Sequence, residues 1–168
     1  MSSIITITAS DVANRKLSTA IDTELKNKNY KSEVLNIIDL DLPLYTTKYE
    51  QEHGFPAQIE VLQSKLAQAT GMIFVAPEYN GSYPPVLNNF IAWMSRSSKN
   101  WRDLFNDKPA ALATHSGGGG EHVLLAMRQQ LAFIGMNVIG RQLLTHYQKP
   151  LKDESLNSFL DSFLKQID

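Results

Sequence analysis

Three short stretches of this 168-residue chain hold the residue types that could do chemistry. The first, Ala9-Ser10-Asp11-Val12-Ala13-Asn14, is small and polar and leads into a helical pattern. A helix N-terminus has unpaired N–H groups and a partial positive charge, which suits a phosphate. Ser10 and Asn14 could add donors, and Arg15 or Lys16 a charge, whereas the Asp11 carboxylate would oppose an anion. Asn14 could equally be the cap of that helix. The second stretch, Ala76-Pro77-Glu78-Tyr79-Asn80-Gly81-Ser82-Tyr83-Pro84-Pro85, lies between an apolar run and a helical pattern. Tyr79 offers a flat apolar face, and Asn80 both a donor and an acceptor. The Pro77 carbonyl and the backbone around Gly81 could fix the edges of a planar ligand. The competing reading is a proline-rich turn that starts a helix. The third stretch, His115-Ser116-Gly117-Gly118-Gly119-Gly120, lets backbone N–H groups approach a flat ligand closely. A flexible turn would look similar, but four glycines are a heavy entropic cost for a mere connection.

Several other chemistries fail on spacing. A dinucleotide fingerprint begun at Gly117 needs glycine at position 122, which is His122, and one begun at Gly118 lands on Val123. No Walker lysine-serine pair is present. A nucleophile elbow around Ser116 needs glycine two residues earlier, where Thr114 stands. His53, His115, His122 and His146 show no metal-ligand spacing. Cysteine is absent, so disulfides, thiolate nucleophiles and iron–sulfur ligation are excluded. Trp93 and Trp101 read as packing or interface residues.

The elements that must position these loops alternate along the chain. Strands are expected at residues 4–8, 33–38, 71–76, 110–114 and 138–144, all short apolar or β-branched runs. Helices are expected at 14–28, 55–69, 84–96, 120–134 and 153–166, where apolar residues recur at helical spacing. Asp153 could cap the last helix. Residues 39–54 and 97–108 read as longer loops. Five βα units imply a parallel sheet covered by helices on both faces. Right-handed crossovers favour the strand order 2-1-3-4-5, with a ligand at the switch between strands 1 and 3. Strands 1, 3 and 4 are then neighbours, so all three unusual loops converge on one crevice.

The bulk composition is that of an ordinary globular domain, with 43% apolar and 20% charged residues. A single domain over residues 1–168 is expected. The net charge of -1 gives no general affinity for nucleic acid or anionic membrane. The first residues show no basic-then-apolar targeting pattern and no apolar run is long enough to span a bilayer, so a cytoplasmic location is expected.

With these residues in view, the chain resembles the NAD(P)H-dependent FMN reductases of the flavodoxin-like superfold. That group includes enzymes described as FMN, quinone, chromate or azo-dye reductases. The resemblance runs through Pro77-Glu78-Tyr79-Asn80-Gly81-Ser82, then Pro84, Leu87, Asn89 and Trp93. It continues in Asp39-Leu40-Asp41-Leu42-Pro43-Leu44-Tyr45 and in the glycine-rich loop. It implies bound FMN, with Ser10 and Asn14 at the phosphate and Pro77, Glu78, Tyr79 and Asn80 along the ring. Ser116, Gly117, Gly118 and Gly119 would meet its pyrimidine side. It further implies NAD(P)H as a transient co-substrate, a small-molecule electron acceptor, and a homodimer or homotetramer. Trp93, Trp101 and the loop from Asp39 would be candidates for the subunit interface. Family members often open the first loop with Gly-Ser-x-Arg, where this chain reads Ala9-Ser10-Asp11. The other functions open to these residues are a flavodoxin-type electron carrier, a serine hydrolase using Ser116, and a regulatory domain with an empty crevice.

Overall fold

The computed structural model describes residues 3–167. Five parallel strands form one sheet: β1 (Ser3–Thr8), β2 (Lys31–Asn36), β3 (Gly71–Val75), β4 (Pro109–Ser116) and β5 (Asn137–His146). Their order is β2-β1-β3-β4-β5, the order expected. The helices are α1 (Ala13–Asn27), α2 (Thr47–His53), α3 (Gln58–Gln68), α4 (Pro85–Arg96), α5 (Glu121–Phe133) and α6 (Asp153–Leu164). A 3-10 turn covers Trp101–Leu104. The fold is therefore the flavodoxin-like doubly wound α/β arrangement.

Side-chain alternation divides the core in two. Ile5 and Ile7 of β1 and Phe74 of β3 face α3, α4 and α5, where Ile59, Leu87 and Val123 meet them. Ile4 and Ile73 face α1 and α6, where Leu17, Phe159 and Phe163 meet them. β3 is buried at every position, as a central parallel strand must be. β5 is the exposed edge beside β4. Between Ala110 and Leu112 its partner residue jumps from Val138 to Gln142, a bulge that interrupts the edge. Arg128 of α5 donates to the Val138 and Ile139 carbonyls there, at 3.1 and 2.7 Å.

Two sequence expectations need correction. The stretch 39–54 is not all loop, because it contains α2. No α2 residue is buried, so it lacks the apolar repeat that reveals a helix. Its start is instead set by Thr46, whose hydroxyl accepts the Tyr49 N–H at 3.0 Å. Asp153 is not the cap of α6. The cap position is Lys152, with no side-chain bond, and Asp153 sits in the first turn, where its charge suits the helix dipole.

Candidate active site

In a parallel sheet every strand points the same way, so the loops after β1, β3 and β4 rise from one edge. Hydrogen bonds then join them. Ala9 N–H donates to the Val75 carbonyl at 3.0 Å, and Thr114 Oγ1 to the Ala76 carbonyl at 2.7 Å. Asn14 is 2% exposed and joins the first loop to the third. Its Nδ2 donates to the His115 carbonyl at 2.8 Å, and its Oδ1 accepts the His115 N–H at 2.7 Å. The cap reading of Asn14 fails, because the cap position of α1 is Val12 and no side chain caps that helix. The amide is an internal latch, with one Nδ2 hydrogen left over. Ser10 Oγ accepts the Val12 N–H at 3.4 Å.

The central loop contains a two-residue hairpin. Tyr79 N–H donates to the Ser82 carbonyl at 2.7 Å, and Ser82 N–H to the Tyr79 carbonyl at 3.0 Å. Asn80 and Gly81 both have positive φ, 51° and 76°, as a type I′ turn requires. The Asn-Gly pair thus has a backbone reason to exist. Tyr79 is 54% exposed at the turn's base, which leaves its ring face open to a ligand. Pro77 and Glu78 are half-buried. Glu78 turns toward the third loop, and its Oε2 accepts the Val123 N–H at 3.2 Å. It satisfies one of the unpaired first-turn donors of α5 and holds the second and third loops together.

The third loop splits into glycines the fold needs and glycines it does not. Gly120 has φ +90°, and a Cβ there would lie 3.0 Å from Thr114 Cγ2 and 3.1 Å from Ser116 Cβ. The chain itself therefore demands glycine at 120. Gly117 and Gly118 lack positive φ, and a Cβ on either would meet nothing within 4 Å. Among the described residues, the Gly117 and Gly119 N–H groups have no hydrogen-bond partner. Bare backbone facing open space, with free donors, fits the edge of a flat polar ring. The Glu121 carboxylate folds over Gly119 and must swing aside for such a ring.

Ser116 is 4% exposed, and its Oγ accepts the Gly118 N–H at 3.2 Å. The histidine before it is engaged elsewhere. Thr145 Oγ1 donates its one proton to the Thr114 carbonyl at 3.0 Å, so it must accept from His115 Nδ1, 3.1 Å away. Among the described residues no histidine bonds Ser116, so the base that a serine nucleophile needs is missing.

Sequence reasoning missed how the crevice wall beyond β1 is held. Ala9, Ile38, Leu42, Tyr79, Pro84 and Val86 line a cavity of about 340 Å³ there. The loop that supplies Leu42 is fastened by two α4 side chains at i, i+4 spacing. Asn89 accepts the Tyr45 N–H at 2.8 Å and donates to the Pro43 carbonyl at 3.0 Å. Trp93 Nε1 donates to the same carbonyl at 2.7 Å. Trp93 is 0% exposed, with Tyr45, Tyr49 and Phe55 edge-on around it. It is a core residue of this chain, and the interface reading of Trp93 is corrected accordingly. Glu50 completes the anchor of α2 by pairing with Arg96 at 3.1 Å and accepting from the Tyr45 hydroxyl at 3.0 Å. The Arg96 hydrogen bond holds the Glu50 carboxyl below its ordinary range. The sequence signals for this wall were the position of Asn89 and Trp93 after Pro84 and the stretch Asp39-Leu40-Asp41-Leu42-Pro43-Leu44-Tyr45.

Known proteins share this sequence and architecture. The family model described as NADPH-dependent FMN reductase matches residues 3–149. A quinone reductase of Escherichia coli (strain K12) is 39% identical over 103 residues, 60% of this chain and 53% of that protein. An NADPH:quinone oxidoreductase of Arabidopsis thaliana is 30% identical over 154 residues, 89% of this chain and 76% of that one. The chain spans about half the length of the Escherichia coli relative it matches. The solved structure of FerB, a flavoenzyme NAD(P)H:(acceptor) oxidoreductase from Paracoccus denitrificans, superposes with a TM-score of 0.80 at 22% identity. That match covers 99% of this chain and 97% of FerB, and it speaks to the fold. A family match running from β1 past β5, on a sheet whose three ligand-shaped loops meet at one edge, makes this chain a member of the NADPH-dependent FMN reductase family.

Proposed function

We propose that the chain binds FMN along this edge and passes electrons from NAD(P)H to a quinone, a flavin or a similar small acceptor. The observation that carries the reading is the bare backbone at Gly117 and Gly118, which the chain's own packing does not require. Bound flavin would accept a hydride from NAD(P)H and release one or two electrons to the acceptor. The protein's part is to seat the ring and shape its electrostatics. Tyr79 and Pro77 would flank the ring, with Asn80 at its edge. The N–H groups of Gly117 and Gly119 would face the negative charge that reduction places on the ring. No general base is needed, which agrees with Ser116 and His115 being engaged internally. The absent dinucleotide fingerprint suits a nicotinamide that visits and leaves.

Purified protein should quench added FMN fluorescence with roughly micromolar affinity or better, about 8 kcal/mol. It should also oxidise NAD(P)H in the presence of a quinone. Flavin binding without that oxidation would favour a flavodoxin-type electron carrier, although such carriers are usually far more acidic than a net charge of -1. No flavin binding by folded protein would end both readings.

Asn80 has a role that can be separated from its turn. Alanine at 80 would strain a positive φ, so the useful variant is Asn80→Gly, which keeps the turn and removes the amide. It should weaken FMN binding by about 1–3 kcal/mol if the amide bonds the ring. Equal affinities in a flavin titration would remove Asn80 from the site.

Assembly as a homo-oligomer belongs to the same proposal. Leu125 and Phe133 on α5, 63% and 75% exposed, and the half-buried Trp101 are apolar surface that a second copy could cover. Among the described residues, no helix is long and apolar enough to cross a membrane.

A further inference from the structure

A second cavity, of about 440 Å³, opens between the start of α1 and the segment that follows β5. Ser10, Pro77 to Asn80 and Gly117 to Gly119 line none of it, and it shares no residue with the cavity that Tyr79 lines. Its walls are mostly apolar, with Val12, Leu17 and Leu151 among them, and carry few polar groups. That is the usual make-up of a small-molecule site.

Two of those polar groups have unused bonding capacity. The His115 side chain lines the cavity. Thr145 Oγ1 spends its own proton on the Thr114 carbonyl, so the proton between it and His115 belongs to Nδ1. In the neutral ring Nε2 is then a bare acceptor. Among the described residues nothing donates to it. Lys16 also lines the cavity, and its ammonium has no hydrogen-bond or ion-pair partner among the described residues. Among the described residues, no carboxylate lines the cavity to neutralise that charge. Tyr147 stands on one side, at the tip of a turn fastened by two backbone bonds between His146 and Lys149, 3.0 and 2.9 Å. Its ring is 82% exposed and perpendicular to that of His115, with 5.4 Å between ring centres.

An acceptor and a donor lining one apolar space suit a group that both donates and accepts. A hydroxyl does so. A phenol brings it on a flat apolar ring, and its oxygen gains negative charge beside an ammonium. A carboxylate would instead set its charge against the Nε2 lone pair. We propose that this cavity binds a small phenol, with the hydroxyl donating to His115 Nε2 and accepting from Lys16, and with the ring against Tyr147. The proposal does not rest on the flavin reading, because no residue assigned to the flavin takes part.

Titration of the purified full chain with 4-ethylphenol, read by NMR at the imidazole nitrogens of His115 and repeated with added FMN, tests this. The expected result is a saturable shift at Nε2 with a dissociation constant of about 1 mM or tighter. Ethylbenzene, which lacks the hydroxyl, should bind about three- to tenfold more weakly. Equal affinity for ethylbenzene, or tighter binding of 4-ethylbenzoate, would overturn the phenol assignment. A change in FMN absorbance with no shift at His115 would put the phenol over the flavin and overturn it too. His115→Phe keeps a flat ring beside Tyr147 and removes the acceptor. Lys16→Met removes the donor at an exposed position, where folding is not at stake. Each is expected to weaken 4-ethylphenol by about three- to tenfold and to leave ethylbenzene as it was. Unchanged phenol affinity in Lys16→Met and in folded His115→Phe would overturn the proposal.

Discussion

A Gly118→Val variant is expected to lose FMN affinity by about 100-fold or more, about 2.7 kcal/mol, while melting within a few degrees of the parent. The two halves of that result come from one observation. A Cβ at 118 would meet nothing within 4 Å, and the residue lacks the positive φ that a side chain would resist. The folded chain therefore has no reason to object to valine. Replacing glycine also removes conformational freedom from the unfolded chain, which tends to stabilise. A ring that must lie against this backbone meets the isopropyl group instead, and is pushed away from the N–H groups of Gly117 and Gly119. Gly120→Ala is the contrasting control. Its φ of +90° and the neighbours at 3.0 and 3.1 Å make it costly to the fold, by about 1–3 kcal/mol. Flavin titration together with thermal melts would separate the two. Undiminished FMN affinity in Gly118→Val would take the third loop out of the flavin site.

The second large effect is expected at Trp93, whose hydrogen bond and ring contacts run to Pro43, Tyr45, Tyr49 and Phe55. Trp93→Ala should cost about 3–5 kcal/mol, the usual range for deleting a fully buried large aromatic side chain. In a domain of this size that corresponds to a fall of roughly 6–20 °C in Tm, measurable by calorimetry. The indole fills the space between α4, α2 and the loop bearing Pro43, with Tyr45 5.1 Å and Tyr49 6.0 Å away between ring centres. It also donates one of the hydrogen bonds that fasten the Pro43 carbonyl. The Asn89 bond to that carbonyl survives the substitution, so no buried acceptor is orphaned. The loss is then one of packing, and the crevice wall near Leu42 should loosen as well. A Tm change under about 2 °C would mean that the aromatic cluster contributes little.

Part of this design could be seen in the residue order. The strands were legible because β1 and β3 are short, apolar and punctuated. The helices α1, α3, α4, α5 and α6 were legible because their buried residues recur at helical spacing. α2 was not, because nothing on it is buried and its start depends on one threonine hydroxyl. The proline-rich stretch 76–85 was readable as a turn, yet the I′ geometry at Asn80-Gly81 emerged only with the bond pair between Tyr79 and Ser82.

By itself the sequence determined the alternation of strands and helices, hence a parallel sheet, hence three loops rising from one edge. That much follows from local periodicity and from the handedness of βα crossovers, which need no knowledge of distant contacts. Tertiary structure alone decided what each residue in those loops does. Asn14 meets His115 across 101 positions of chain, Glu78 meets Val123 across 45, and Arg15 pairs with Asp39 at the surface. It also separated Gly120, which is crowded, from Gly117 and Gly118, which face open space. Hydrogen bonds and van der Waals contacts act over a few ångströms. A side chain's partners are therefore set by where the sheet brings its neighbours, which local residue spacing does not encode.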